Sequence, residues 1–208
     1  MHPKTALPLS VCVRLPKNHS LKLNLSHDDD EQKVTGGRNG YGAKLCNIFS
    51  NRFVVETSCD KYKKLFKMEW KKNMKQKGTA KISPNKSSAF TRITFEPDLT
   101  KFNMDCLDKD IVSILTRRAY DIAATTGCKV FLNDERINVT NFKDYCGLYL
   151  NDQTDAMGKP VSMVYQKIND HWEVGVAVSD NGYRQVSFCN SIATTKGGKH
   201  TEYGEFFF

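Results

Sequence analysis

The most informative segment of the sequence is Thr35-Gly36-Gly37-Arg38-Asn39-Gly40-Tyr41-Gly42-Ala43-Lys44-Leu45-Cys46-Asn47-Ile48-Phe49. Four glycines fall within residues 36–42, and an apolar pattern with helical spacing follows at once. Glycine reaches positive φ and lets a ligand approach the backbone closely. Free amides at a helix N-terminus attract anions. From spacing alone, a phosphate cradle and an ordinary turn before a helix are equally good interpretations.

Two well-known phosphate motifs do not match this stretch. A P-loop needs Gly-Lys followed by Ser or Thr, which binds magnesium, whereas Lys44 stands between Ala43 and Leu45. The dinucleotide-binding pattern G-x-G-x-x-G is also absent, since the spacing here is G-x-x-G-x-G. Leu45, Ile48 and Phe49 lie at i, i+3 and i+4, which predicts an amphipathic helix directly after the glycines.

Further along the chain, strand and helix patterns alternate without βαβ order. Period-two apolar spacing and β-branched residues predict strands, while an apolar stripe from Leu107 to Ile122 predicts a long helix that ends at Gly127. Asn133-Asp134 predicts a turn, and Asn141 with Asp144 predicts a capped short helix. The predicted strands before residue 150 are Phe53–Thr57, Tyr62–Trp70, Thr91–Phe95 and Lys129–Leu132.

The polar, glycine-bearing stretch 151–160 is the best candidate for a junction between domains. After it, residues 161–168, 172–179 and 185–190 read as a three-stranded β-meander with turns at Asn169-Asp170 and Asn181-Gly182. The prediction is therefore an α+β fold, a mostly antiparallel sheet with helices on one face.

Composition is that of a globular protein: 39% of the 208 residues are hydrophobic and 26% are charged. Seven cysteines without paired spacing favour an intracellular protein with reduced thiols. Ala6–Leu15 is too short and too interrupted to span a membrane, so we expect no membrane partner. The net charge of +8 favours a polyanionic partner.

Much of the positive charge lies in one basic tract. Tyr62, Phe66 and Trp70 are interleaved with its lysines, a pattern that invites a nucleic-acid interpretation. Those aromatics are predicted to face away from most of the lysines, so a solvated strand face is the simpler interpretation, and contact with a phosphate backbone is the alternative. The tract comprises Lys61, Lys63, Lys64, Lys67, Lys71, Lys72, Lys75 and Lys77.

The full wording of the glycine-rich stretch is more specific than its spacing. Residues 34–50, VTGGRNGYGAKLCNIFS, resemble the ATP lid of eukaryotic DNA topoisomerase II, which belongs to the gyrase, chaperone, histidine-kinase and MutL superfamily of ATPases. The resemblance continues in TRITFEPD at 91–98, LDKDIVSILTRRAY at 107–120 and SFCNSIATTKGGKH at 187–200. It runs from about Asp28 to Tyr203.

The resemblance implies site residues, cofactors and domains. It implies an incomplete two-layer ATPase sandwich over 28–150, a junction at 151–160 and the first strands of an α/β transducer domain over 161–208, after an irregular, unrelated segment 1–27. ATP and Mg²⁺ are the implied cofactors, and Thr91 lies beside the adenine, although threonine also simply suits a strand. The residues implied to bind the triphosphate are Gly37, Arg38, Asn39, Gly40, Tyr41, Gly42, Ala43 and Lys44.

Parts that hydrolysis needs are missing from the matched pattern. In the family, the glutamate base, the asparagine that binds magnesium and a D-x-G-x-G turn precede the lid, yet residues 1–27 contain neither glutamate nor that turn. The lysine that reaches the γ-phosphate, the magnesium ligand and the DNA-cleaving tyrosine likewise have no counterpart here. We therefore expect no catalytic residue in this chain, and we interpret it as a truncated product with foreign ends.

The resemblance implies a parent enzyme that binds ATP, forms a homodimer, passes one DNA duplex through another and works in the nucleus. Alternatively, the chain is an ATP-binding or dimerising fragment without catalysis, or a non-functional product.

Overall fold

The computed structural model describes residues 9–11, 40–86, 88–151, 153–154, 157–169, 171–179 and 183–206. It is an α+β structure whose sheets are antiparallel, which confirms the predicted fold class. The described residues divide into two compact units. The first holds 9–11, 40–116 and 131–135, and the second holds 117–130 and 136–206. The domain bounds expected from the sequence stay a prediction.

The helices of the described residues are α1 (Tyr41–Ile48), α2 (Lys109–Thr126), α3 (Phe142–Leu148) and α4 (Lys199–Phe206), with a 3₁₀ turn at Leu99–Phe102. The strands of the first unit are β1 (Leu9–Val11), β2 (Ser50–Cys59), β3 (Lys64–Lys71), β4 (Gln76–Lys77), β5 (Lys81–Pro84) and β6 (Phe90–Pro97). A hairpin follows α2, formed by β7 (Phe131–Leu132) and β8 (Glu135–Arg136). The later strands are β9 (Met163–Lys167), β10 (Glu173–Ala177), β11 (Phe188–Cys189) and β12 (Ile192–Ala193).

The main sheet lies in the first unit, with strand order β1-β6-β2-β3, and both β4 and β5 pair with the outer side of β3. Phe53 on β2 stands opposite Trp70 on β3 and Phe95 on β6. Because directly paired residues share a face, this register gathers apolar side chains on one side of the sheet. Phe53 is 4% exposed and Met68 is 7% exposed, so this side supplies the core, where each large side chain contributes about 1.5–3 kcal/mol.

The opposite face of the sheet carries charges of alternating sign. Arg52 donates a 2.6 Å hydrogen bond to Glu69 and also pairs with Glu96, while Glu56 pairs with Lys67 and Arg92. Polar side chains that alternate with apolar ones along β2 explain the period of two.

Two strand predictions need correction. Tyr62 was expected within a strand, but it lies in the turn before β3 and is 66% exposed, and Lys63 at φ 47° ends that turn. Within the segment predicted to be irregular, Leu9–Val11 forms β1 and pairs with β6. The rest of 1–27 lies outside the described residues.

Helix α2 ends as predicted at Gly127, whose φ of 63° suits glycine. The predicted apolar stripe is not the buried one, however, because Ile114 is 55% exposed and the buried residues include Asp121 and Ala123. Tyr145 donates a hydrogen bond to the Asp121 carboxylate, which explains how this polar side chain can be buried.

Helix α3 begins as predicted, since Oδ1 of Asn141 accepts a hydrogen bond from the amide of Asp144. In the same unit, β9 and β10 form an antiparallel hairpin. Strand β11 pairs with β12 instead of continuing a meander, because Asn190 and Ser191 form a tight turn at φ 50° and 63°.

Candidate functional site

The predicted phosphate cradle maps onto the start of α1. Gly40 is the residue before the helix, and Tyr41, Gly42, Ala43 and Lys44 form its first turn. The remaining three predicted residues, Gly37, Arg38 and Asn39, lie outside the described residues.

Gly40 adopts a left-handed conformation, with φ 65° and ψ 21°. A Cβ added at this position would meet no atom within 4 Å, so the backbone is open to a ligand here. Among the described residues no side chain caps the helix, and its first turn holds no acidic residue. The first-turn amides stand at the positive end of the helix dipole, which is the arrangement that holds phosphate.

Side chains of α1 are distributed differently from the prediction. Leu45 and Ile48 were expected to face the core, yet they are 51% and 42% exposed, while Asn47 is 5% exposed. Ser50 is also buried, and its hydroxyl donates to the carbonyl of Cys46. The Ser50 hydrogen bond thus links the end of the helix to the start of β2. The exposed Lys44 extends from the same turn as the amides.

Thr91, the residue predicted to lie beside adenine, is half-buried on β6 opposite Thr57 on β2. The two hydroxyls are 2.9 Å apart, and Thr57 also donates to the carbonyl of Phe90 at 3.3 Å. Either hydroxyl can be the donor of the shorter bond, and in both cases the Thr91 oxygen has a lone pair that a ligand could use. The adenine role stays a prediction.

A buried polar cluster in the second unit escaped the sequence analysis. Tyr145 and Tyr149 line a cavity of about 220 Å³ together with Arg117, Tyr120 and Leu148. Burial and the hydrogen bond to Asp121 raise the pKa of Tyr145 far above its ordinary value, so the phenol stays protonated. The cluster therefore joins α2 to α3 rather than transferring protons. Its one sequence signal is the placement of Arg117 and Arg118 four and three residues before Asp121.

Among the described residues there is no group of three or more His, Cys, Asp or Glu side chains placed to hold a metal ion. The same part of the chain contains no helix with the length and apolar character needed to cross a bilayer.

Comparisons with known proteins agree with these features. The family model described as DNA gyrase B matches residues 141–205. Over 179 residues the chain is 54% identical to DNA topoisomerase 2-alpha of Gallus gallus, a match that covers 86% of this chain and 12% of the relative. The human DNA topoisomerase 2-alpha is 51% identical over 179 residues, with the same 86% and 12% coverage.

Solved structures of DNA topoisomerase II share the fold of this chain. The ATPase region of Saccharomyces cerevisiae topoisomerase II superposes with a TM-score of 0.78 at 45% identity and covers 86% of this chain and 46% of that one. The ATPase and transducer domains of Balamuthia mandrillaris DNA topoisomerase II superpose with a TM-score of 0.75 at 40% identity, covering 85% of this chain and 44% of that one.

The chain thus spans 12% of the length of the curated relatives cited here. Identity above 50% and a shared fold establish common descent over the matched region. The chain belongs to the family of eukaryotic type II DNA topoisomerases and corresponds to a part of their ATPase region.

Proposed function

We propose that the chain is the ATP-lid and sheet portion of an ATP-dependent type II DNA topoisomerase, and that the N-terminus of α1 holds the phosphates of ATP. The observation that carries this proposal is the open backbone at Gly40 at the uncapped, acid-free start of a helix. Similarity to the chicken topoisomerase and to the solved ATPase region of the yeast enzyme supports it.

The predicted residues that the structure describes have roles that their positions permit. The amides of Gly40 to Ala43 donate to phosphate oxygens, and Lys44 balances their charge. Thr91 offers its hydroxyl to the adenine side, and the resemblance assigns Gly37, Arg38 and Asn39 to the same phosphate site. Bound magnesium would neutralise charge on the phosphates, and its ligand belongs to the parent enzyme outside this stretch.

The chain alone binds ATP without hydrolysing it. This follows from the family pattern, in which the glutamate base and the magnesium-binding asparagine precede the lid, whereas residues 1–27 contain no glutamate. The parent enzyme, under the same proposal, forms a homodimer through this region, passes one DNA duplex through another and resides in the nucleus. The alternatives are a dimerising fragment without nucleotide binding and a non-functional product.

Titration of the purified chain with a fluorescent, non-hydrolysable ATP analogue and magnesium tests the proposal. Lys44→Ala removes the charge beside the amides and is expected to weaken binding about tenfold or more, because a hydrogen bond to a charged group contributes about 1.5–3 kcal/mol. Lys101→Ala is the matched control, since Lys101 is an exposed lysine of the same unit on the 3₁₀ turn.

Circular dichroism establishes that all three proteins are folded. Equal Kd values for Lys44→Ala and Lys101→Ala, or a folded parent chain that binds no analogue at millimolar concentration, would overturn the proposal. Steady turnover of ATP by the chain alone would overturn the separate expectation that it lacks a base.

A further inference from the structure

One segment accounts for the whole net positive charge of the protein. Residues 60–86 contain ten lysines and no arginine, against the two acidic residues Asp60 and Glu69, so their net charge is +8. The whole chain has 31 basic and 23 acidic residues, also +8. The other residues therefore hold 21 of each sign and balance to zero. We call residues 60–86 the lysine edge.

The fold gathers these lysines on one border of the main sheet. Strand β3 has β2 on its inner side, and its outer side pairs with β5 along Lys64–Lys67 and with β4 along Trp70–Lys71. All lysines of the lysine edge are exposed. Two hydrogen bonds of Asn73 hold the turn from β3 to β4 in place. Its side-chain Nδ2 donates to Oδ2 of Asp98 at 3.0 Å, and its backbone amide donates to the carbonyl of Ser50.

Only part of this charge is neutralised by the protein itself. Lys63, Lys67 and Lys71 lie within 4.0 Å of a carboxylate, with N–O distances of 3.9, 3.0 and 3.8 Å. Over the described residues, the other lysines of β3, β4, β5 and the connecting turn have no carboxylate at that distance. These are Lys64, Lys72, Lys75, Lys77 and Lys81.

One pair of lysines in the ladder is only half neutralised. Lys67 on β3 stands opposite Lys81 on β5, and Lys67 pairs with Glu56 whereas Lys81 has no carboxylate within 4.0 Å among the described residues. Like charges directly opposite each other destabilise a sheet, so an anion that binds beside Lys81 would offset part of this repulsion.

We propose that the lysine edge binds the phosphate backbone of duplex DNA without reading its sequence. The choice of DNA as the polyanion rests on the proposed function. Lysines act as point charges, and residues 60–86 contain no arginine, whose planar fork gives the bidentate contacts to guanine. Duplex is favoured over single strands because Trp70 packs edge-on against Phe53 at 6.1 Å. Among the aromatic rings of the lysine edge only Tyr62 is exposed, and Nζ of Lys61 lies over that ring.

The test compares two triple variants of the full chain that carry the same charge. Lys75→Gln, Lys77→Gln and Lys81→Gln together remove three unpaired lysines of the edge. Lys101→Gln, Lys109→Gln and Lys129→Gln remove three exposed lysines elsewhere, so both variants fall from +8 by three units to +5. Binding to a fluorescent duplex of about 30 base pairs is measured by anisotropy between about 50 and 200 mM salt.

The edge variant is expected to bind duplex at least about tenfold more weakly than the parent, and its plot of log K against log salt should flatten by about 2.7, since each lost phosphate contact removes about 0.9 from the slope. The control variant should stay within about twofold of the parent. Circular dichroism and the ATP-analogue titration show whether each variant is folded and still binds nucleotide.

Equal loss of affinity in the two variants would overturn the proposal, because net charge rather than this surface would then decide binding. Tighter binding of a single strand than of the duplex, or equally tight binding of polyglutamate, would also overturn it. Failure of nucleotide binding with DNA binding intact would count against the proposed function alone.

Discussion

The phenol of Tyr145 on α3 donates a 2.6 Å hydrogen bond to Oδ1 of Asp121 on α2, and each residue is only 2% exposed. Arg118 donates to the other carboxylate oxygen at 2.8 Å, so the buried charge is paired on both sides. A buried carboxylate is costly unless its oxygens are satisfied. This link therefore fixes α3 against the second half of α2.

Removing the phenol oxygen is expected to weaken the second unit. Tyr145→Phe leaves Oδ1 of Asp121 without its donor and should destabilise the protein by about 1–3 kcal/mol. Urea unfolding followed by circular dichroism measures the change. Tyr62→Phe, at a position 66% exposed, is the control and should leave the midpoint unchanged. A midpoint for Tyr145→Phe equal to that of the control would show that the hydrogen bond contributes nothing.

Asp98 should make stability depend on pH. Hydrogen bonds from Thr100 and then from Asn73 hold the pKa of Asp98 below its ordinary value of 3.8. When folding lowers the pKa of a carboxyl group, the group adds to the free energy of unfolding. This contribution is fully present at pH values well above the pKa in the unfolded chain, and it is lost as the pH falls through the pKa in the folded protein. The advantage of the parent over Asp98→Asn should therefore be constant near neutral pH and shrink below about pH 4.

Urea midpoints of the two proteins across this range test the dependence on Asp98. Asp105→Asn, which changes an exposed carboxylate, serves as the control. An advantage of the parent over Asp98→Asn that grows on acidification would contradict the assignment.

Gly78 lies where no side chain fits. Its amide donates to the carbonyl oxygen of Glu69 at 2.8 Å, and a Cβ on residue 78 would lie 2.9 Å from the same oxygen. Gly78→Ala should therefore push β4 away from β3 and cost about 1–3 kcal/mol, as overpacked sites do. Gly147→Ala, inside α3 with no atom near the added carbon, should be neutral or stabilising. The melting temperatures of both variants test this prediction. Equal melting temperatures for Gly78→Ala and Gly147→Ala would show that β4 accommodates the added carbon without loss of stability.

The thiol of Cys146 should resist alkylation. Burial, followed by the nearby charge of Glu173, raises its pKa to about 11. At about pH 8 only ~0.1% of it is thiolate, the reactive form. Cys59, Cys106 and Cys189 are exposed, so iodoacetamide should modify them at least about tenfold faster. Peptide mass spectrometry over time provides the rates, and labelling of Cys146 as fast as Cys59 would exclude protection by burial.

Local signals made much of the fold predictable. Gly127 ends α2 through its positive φ, and Asn141 begins α3 through a hydrogen bond that its side chain accepts from a backbone amide. Both effects act within a few residues, so these helix ends can be predicted from sequence. The strands predicted at Phe53–Thr57 and Thr91–Phe95 lie within Ser50–Cys59 and Phe90–Pro97. The start of the lid helix was foreseen because its glycines and its apolar spacing adjoin.

Other features depend on partners distant in sequence. The burial of Asp121 required Tyr145, which lies on another helix, and no local pattern announces such a pair. The side of α1 that faces the sheet was also missed, since Asn47 is buried in place of the more apolar Leu45. For Tyr62, alternation continued past the point where Lys63 turns the chain, so the strand was started two residues early.

The net charge of the chain resides in residues 60–86, whose lysines are exposed. A negatively charged molecule near the first unit is therefore attracted toward β3 and its outer strands, and charge of one sign gathered on a surface raises the rate of association. At about 0.15 M salt the field decays over about 8 Å, so this attraction acts in the last nanometre of approach. The rate of association with a polyanion should thus fall steeply as ionic strength rises.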